Sequence, residues 1–357
     1  MLKKREFSGL IVTAIIVKML LAYPRRLVMI SGQAAWINVI YVSIVAVILT
    51  ILTNKIYCHK KNVIELAQIC GGKSLRIAVG ILVFLILLSS YVSISRIFPE
   101  SVKIILLPHS SARTISFIFA ITAGAGAWFG IKSISRINYM ILLIVTVLFM
   151  LFLLILIPYY KANNIFPIFG NGLSSIFISG FNSLSLFSDV IVLNVLIAHG
   201  QTLGEVKALN IRAVILSGIA AVMLILAYNL CYTYPISKDF LLPAYKLARM
   251  VKVSNFFSRA EAFFEFIWSI MIFIYASIYV YAMALVIEET FMLKFLKPLI
   301  IPIVFVGYII SRLPDNLWST VFYDRVLELI KYPLVFLLPI VFGLLTYRMG
   351  EGKNADS

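Results

Sequence analysis

Two ionisable side chains stand inside apolar runs, where charge is costly. Lys18 lies in Ile15-Ile16-Val17-Lys18-Met19-Leu20, and Asp189 in Ser185-Leu186-Phe187-Ser188-Asp189. A Lys or Asp at the centre of a membrane helix costs about 2.5–3.5 kcal/mol on insertion scales, so such residues face a polar cavity or pair with one another. The Lys18 ammonium suits a ligand carboxylate or an acidic partner such as Asp189. Snorkelling into an aqueous vestibule is the simpler alternative. Asp189 suits a counter-charge for Lys18, a ligand-amine site, a proton site, or a structural salt bridge. Glu261 and Glu265 are four apart and share a helix face, with Glu265 the deeper. They fit an outer gate or ion path, or the anchoring of a helix. Arg96 has Glu100 at i+4 as a local partner. Tyr91 and Tyr275 have the polar tips of cavity-lining aromatics, although most aromatics in such runs serve packing.

Other chemistries lack their residues. Cys58, Cys70 and Cys231 are far apart with no C-x-x-C, and His59, His109 and His199 show no metal-ligand spacing. No Ser/His/Asp arrangement or phosphate loop is present. The sequence predicts no enzyme, no metal and no cofactor.

The elements that must position Lys18 and Asp189 follow from composition. Of 357 residues, 62% are hydrophobic and 13% charged, with a mean hydropathy of +1.02. A soluble domain is nearer half apolar and a quarter charged. The surplus must face lipid, where helices or closed barrels alone satisfy their backbone groups. Long continuous apolar runs select helices. The net charge of +16 sits between those runs, as basic loops of membrane proteins do. It forms no patch interleaved with aromatics, so no nucleic-acid partner is predicted.

A window of about twenty residues predicts ten spans, near 7–30, 35–56, 77–107, 115–131, 137–159, 173–198, 211–232, 260–287, 299–310 and 332–347. They form a single polytopic membrane domain over 1–357. The first is interrupted at Tyr23-Pro24, and Ser and Asp favour a local break in the sixth. Arg312, Arg325 and Lys331 fall between spans, on the outer side. Lys3, Lys4, Arg5 and the basic second-to-third loop place the N-terminus inside, and an even span count places the C-terminus there too. The stripe Gly124-Ala125-Gly126-Ala127 predicts close helix packing. Paired interruptions in two five-span halves suggest a five-plus-five inverted repeat with a binding site near the bilayer midplane.

Several motifs, in order, carry a resemblance. Asn164-Ile165-Phe166-Pro167-Ile168-Phe169-Gly170-Asn171-Gly172 resembles the N-x-F-P-x-x-G-x-G connector of the B subunit of spore germinant receptors. Arg259-Ala260-Glu261-Ala262-Phe263-Phe264-Glu265-Phe266-Ile267-Trp268 resembles that family's R-x-E-x-x-F-x-x-x-W start of the eighth helix. Leu20-Leu21-Ala22-Tyr23-Pro24-Arg25 and Ala35-Trp36-Ile37 resemble its first-helix break and second-helix start. The resemblance implies an all-α integral membrane fold of the amino acid–polyamine–organocation transporter superfamily. It also implies an amino-acid-type germinant, partner A and C subunits, and the spore inner membrane. Relatives in that superfamily carry glycines at the first-helix break, and residues 16–22 have none. The candidate ligand-binding set is Lys18, Leu21, Ala22, Tyr23, Pro24, Tyr91, Ser185, Ser188, Asp189 and Glu265, between the first, third, sixth and eighth helices. The leading expectation is nutrient sensing read out by partner subunits. The alternative is an amino-acid symporter coupled to a proton or sodium ion.

Overall fold

The structure is a computed structural model that describes residues 2–20, 23–56, 61–200, 203–240, 242–251, 260–314 and 316–355. All regular elements among these residues are helical. The first, α1 (Lys4–Met19), ends in the middle of an apolar run, and the chain resumes beyond residue 22 as α2 (Tyr23–Ser31). Pro24 sits in the first turn of α2, where its missing N–H costs no hydrogen bond. A 3-10 turn over Gly32–Ala34 leads into α3 (Ala35–Ile56).

The next helix, α4 (Val63–Ile105), starts well before the position at which the sequence predicted a span. Asn62 caps it by accepting from the backbone N–H groups of Ile64 and Glu65 at 3.1 and 2.9 Å. The Asn62 side-chain amide also donates to Glu289, tying this end of α4 to a later helix. Gly71 and Gly72 leave helical geometry and kink α4, so its first two turns run apart from the span that follows. Then come α5 (Ala112–Trp128) and α6 (Ile131–Ile155).

The second half opens with the short α7 (Leu173–Phe177), a 3-10 segment over Ser179–Val190, and the short α8 (Ile191–Leu196). Serine, Asn and Asp supply six of the twelve residues in Ser179–Val190. Their side chains compete for backbone groups and displace the α-helical ladder. Ser185, for example, donates to the Asn182 carbonyl at 2.9 Å. Five helices complete the chain: α9 (Leu203–Cys231), α10 (Pro243–Met250), α11 (Ala260–Phe291), α12 (Lys297–Ser311) and α13 (Leu317–Ala355).

Among the described residues seven stretches are long and apolar enough to cross a membrane. They are Tyr23–Lys55, Val63–Ile105, Ile131–Tyr159, Leu173–His199, Gly204–Cys231, Phe264–Phe291 and Ser319–Thr346. Burial ranks them from centre to rim. The apolar window of Phe264–Phe291 is 83% buried, that of Ile131–Tyr159 only 11%. Hence α11 is the central post and α6 an outer one, with Met140, Ile144, Val147 and Leu151 turned outward. Such an apolar exterior needs lipid around it.

The small-residue stripe of α5 serves packing. Any Cβ on Gly126 would overlap Ser277 of α11, and one on Gly124 would lie 3.1 Å from Val304 of α12. The Asn164–Gly172 connector is a clamp on the end of α2. Asn171 donates to the Ile30 carbonyl at 3.1 Å, and Asn164 to the Leu230 carbonyl at 2.9 Å. Gly170 has φ +48° and lies so close to the Ser31 carbonyl that a Cβ would overlap it. A Gly170→Val substitution therefore combines left-handed strain of about 1–2 kcal/mol with a backbone clash. Its melting temperature in detergent should drop by several degrees, and an unchanged value would mean that the connector does not pin α2.

Candidate functional site

The break after α1 and the 3-10 segment of the second half meet in the protein interior. Lys18, in the last turn of α1, points its ammonium at two carboxylates. It lies 2.9 Å from Asp189 Oδ1 and 2.7 Å from Glu328 Oε1. Its side chain is 12% exposed, and both acids are 1% exposed. Ser188 joins them, accepting from Lys18 at 3.2 Å and donating to Glu328 Oε2 at 2.9 Å. Tyr279 of α11 donates to Asp189 Oδ1 and stacks on Tyr275 with ring centroids 4.3 Å apart. On the far side Lys331 lies 3.5 Å from Glu328 Oε1 and donates to Ser90 of α4 at 3.3 Å.

Four buried charges thus form one neutral chain, Asp189–Lys18–Glu328–Lys331. Isolated, each would be expelled from a low-dielectric interior. Paired and hydrogen-bonded, they persist, but at a desolvation cost that apolar side chains would not incur. Structural economy does not explain such a cluster. Intramembrane charges mark ligand or ion paths.

A cavity of about 320 Å³ opens beside Lys18. Its walls include Tyr23 and Arg26 of α2, Ser90 of α4, Tyr275 of α11, and Asp324 and Arg325 of α13. Three buried polar atoms in this region have no hydrogen-bond partner: Arg26 Nε, a donor, and the Tyr275 hydroxyl, both on residues of the cavity wall, and Asp189 Oδ2, an acceptor on the residue paired with Lys18. The Arg26 guanidinium lies 5.5 Å from the centroid of the Tyr23 ring. An unmatched donor on the cavity wall and an unmatched acceptor on the acid that pairs with Lys18 are complementary to a ligand that carries both a carboxylate and an ammonium.

The residues named from sequence divide into four groups. Lys18, Tyr23, Ser185, Ser188 and Asp189 come together, with Tyr23 and Ser185 bonded through their hydroxyls. Pro24 is buried in the first turn of α2, next to them in the chain but outside the cavity wall. Leu21 and Ala22, like Arg259, lie outside the described residues. Tyr91 and Glu265 stand apart. Tyr91 is fully buried against Gly307 of α12. Glu265 accepts from Ser101 at 2.9 Å, about 15 Å along α11 from Tyr275 at 1.5 Å per residue. Arg96 makes its i+4 pair with Glu100 at 3.5 Å.

Glu328 and Lys331 were not foreseen. The sequence placed Lys331 between spans on the outer side, and started the last span at 332. Yet α13 begins at Leu317 and buries both residues. Charges at Asp324, Arg325, Glu328 and Lys331 depress any average over twenty residues, so a hydropathy window starts too late. The usable signal is periodicity. Asp324, Glu328 and Lys331 are spaced four and three apart, on one helix face. Phe322, Val326, Leu327, Leu329 and Ile330 cover the rest and are exposed. This is an amphipathic helix turned inside out, its polar stripe facing the protein and its apolar face the lipid.

No curated protein sequence matches the chain. A family model described as spore germination protein matches residues 1–319, taking in Lys18 and Asp189 and ending before Glu328. This multi-pass membrane protein, with its ion-paired break in the first helix, belongs to the spore germination protein family.

Proposed function

We propose that the chain is the membrane subunit of a nutrient-germinant receptor, and that a small amino-acid-like ligand binds at Lys18. The observation that carries this reading is the Lys18 ammonium, held by Asp189 and Glu328 at a helix break beside a cavity. In this reading the ligand carboxylate takes Lys18 and Arg26, and its ammonium takes the unmatched oxygen of Asp189. Binding then shifts a conformational equilibrium by no more than the ligand's differential affinity for the two states.

The finer architecture belongs to the same proposal. Beyond the seven long stretches, α1, α5 and α12 have 16, 17 and 15 residues, short for lone spans. With α1 and α2 counted as one broken span, they complete ten spans in two halves of five. The two interruptions, at the end of α1 after Met19 and at Ser179–Val190, fall in the first and sixth spans, as an inverted repeat requires. On this reading both termini are cytoplasmic, the membrane is the spore inner membrane, and A and C subunits read out the shift.

A second reading is a symporter of the same fold. Asp189 favours it, because a buried carboxylate oxygen without a donor suits a coupling proton or cation. Uptake of a labelled amino-acid panel by the purified chain in proteoliposomes, with equilibrium binding on the same sample, separates the two. Binding without uptake, weakened at least tenfold by Asp189→Asn, is the result expected. Saturable uptake driven by a proton or sodium gradient would replace the receptor with the transporter. Neither binding nor uptake by folded protein would overturn both.

A further inference from the structure

A second groove, unconnected with the ligand proposal, runs between α1, α6 and α9. It has a volume of about 450 Å³ and two chemically distinct ends. Most of its length is apolar, with Val12, Ile16, Leu142, Phe149, Leu216 and Met223 among its walls. At one end stand Arg5 and Arg212, with Ser8 and Tyr139 beside them. Other grooves on the outer surface, along α5 and α12 and along α3 and α9, contain no charged side chain. The charged end sets this groove apart from those two.

Both arginines are exposed, and neither has an ion pair or hydrogen bond among the described residues. Nearby acids are already engaged: Glu205 pairs with Lys4 at 2.8 Å, and Glu6 accepts from the Lys3 backbone at 3.2 Å. Arg212 lies seven residues further along α9 than Glu205, about 10 Å at 1.5 Å per residue, so it is set back from the Lys4–Glu205 pair. A guanidinium that opens into an apolar groove calls for an anion that brings its own hydrocarbon.

We propose that this groove holds an anionic phospholipid from the bilayer. Arg5 and Arg212 take the headgroup phosphate, and one acyl chain lies along the apolar walls. Guanidinium forks match phosphate oxygens bidentately, and basic pockets between membrane helices select anionic headgroups. The deep end of the groove touches Met19 and Leu20, next to Lys18 and the break in α1. An acyl chain seated there supports the last turn of α1 from the lipid side, so the composition of the membrane reaches the first-helix break.

The test is native mass spectrometry of the purified full chain with an equimolar mixture of phosphatidylglycerol and phosphatidylcholine. Wild type should retain one phosphatidylglycerol in preference to phosphatidylcholine. Two arginines at about fivefold each predict a roughly 25-fold loss of that retention in Arg5→Gln/Arg212→Gln. The control Lys132→Gln/Arg136→Gln, on the same end of α6 but outside the groove, should keep it. Ala220→Trp, which fills the groove, should expel the lipid with both arginines intact. Equal retention of the two lipids by wild type, equal loss in the control, or a bound polypeptide in place of the lipid would overturn the proposal. The wild-type competition decides the question even where a variant is not recovered folded.

Discussion

Replacing Lys18 with Met should destabilise the folded protein by about 3–5 kcal/mol, the range for removing one member of a buried charge cluster. The substitution nearly conserves volume, so packing contributes little. Its effect is electrostatic. Asp189 would keep only its Tyr279 hydrogen bond, and Glu328 would keep Ser188 and the longer 3.5 Å contact to Lys331. Two buried carboxylates would then be left with one ammonium, Lys331, which reaches only Glu328. The second half of the prediction separates this cause from a simple packing defect. Asp189→Asn in the same molecule removes the surplus charge and leaves the Glu328–Lys331 pair neutral. Lys18→Met/Asp189→Asn should therefore recover most of the lost melting temperature in detergent, although it carries one more substitution. The cross pair Lys18→Met/Glu328→Gln is equally neutral overall but strands Asp189 and Lys331, which do not touch, and it should recover much less. Equal recovery by both doubles would mean that net charge, and not the contacts, holds the cluster. No loss in Lys18→Met alone would remove the argument that the cluster is desolvated.

How much of this site was legible depended on whether each charge stood in an apolar background. Lys18 and Asp189 did, and the cost of isolated charge in lipid pointed from either one to the other across 170 residues. Glu328 and Lys331 did not, because Asp324 and Arg325 stand beside them and the stretch reads as a polar connector. The same averaging hid the first turns of α4, where Lys73 and Arg76 follow two glycines. Breaks were easier to read than boundaries. Proline at position 24 and the Ser- and Asp-rich stretch before 190 mark the two interruptions by local chemistry alone, which needs no tertiary context. Tyr91 shows the opposite limit. A tyrosine in an apolar span carries the same local signal whether it lines a cavity or packs against a glycine of another helix, and only the partner, Gly307, decides. Glu265 is similar: its depth in α11 was legible, but its separation from Lys18 along the helix axis depends on how α11 is set against α1.

The geometry of Lys18 also predicts which substitution should improve ligand binding. Its ammonium is already saturated by Asp189, Glu328 and Ser188, so a ligand carboxylate can reach it only after one of these lets go. Asp189 is held by Tyr279, whereas Glu328 has Lys331 as an alternative partner, 3.5 Å away. The Lys18–Glu328 contact is therefore the one that ligand binding should break, with Glu328 moving over to Lys331. Glu328→Gln/Lys331→Met removes that competitor without leaving a stranded charge, since Lys18 and Asp189 still neutralise each other. In a two-state description the receptive state then costs less to populate, and apparent affinity rises by the gain in its population. A contact worth about 1.4 kcal/mol corresponds to tenfold. The double variant should accordingly bind an amino-acid germinant about tenfold more tightly than wild type, at nearly unchanged melting temperature. In a reconstituted receptor it should respond at correspondingly lower ligand concentration. Glu328→Gln alone should bind less well than the double and melt earlier, because Lys331 is left facing only Ser90. The decisive measurement is equilibrium binding by the double variant. Weaker binding than wild type would make Glu328 itself a ligand contact, and the ion pair part of the bound state instead of the lock that binding opens.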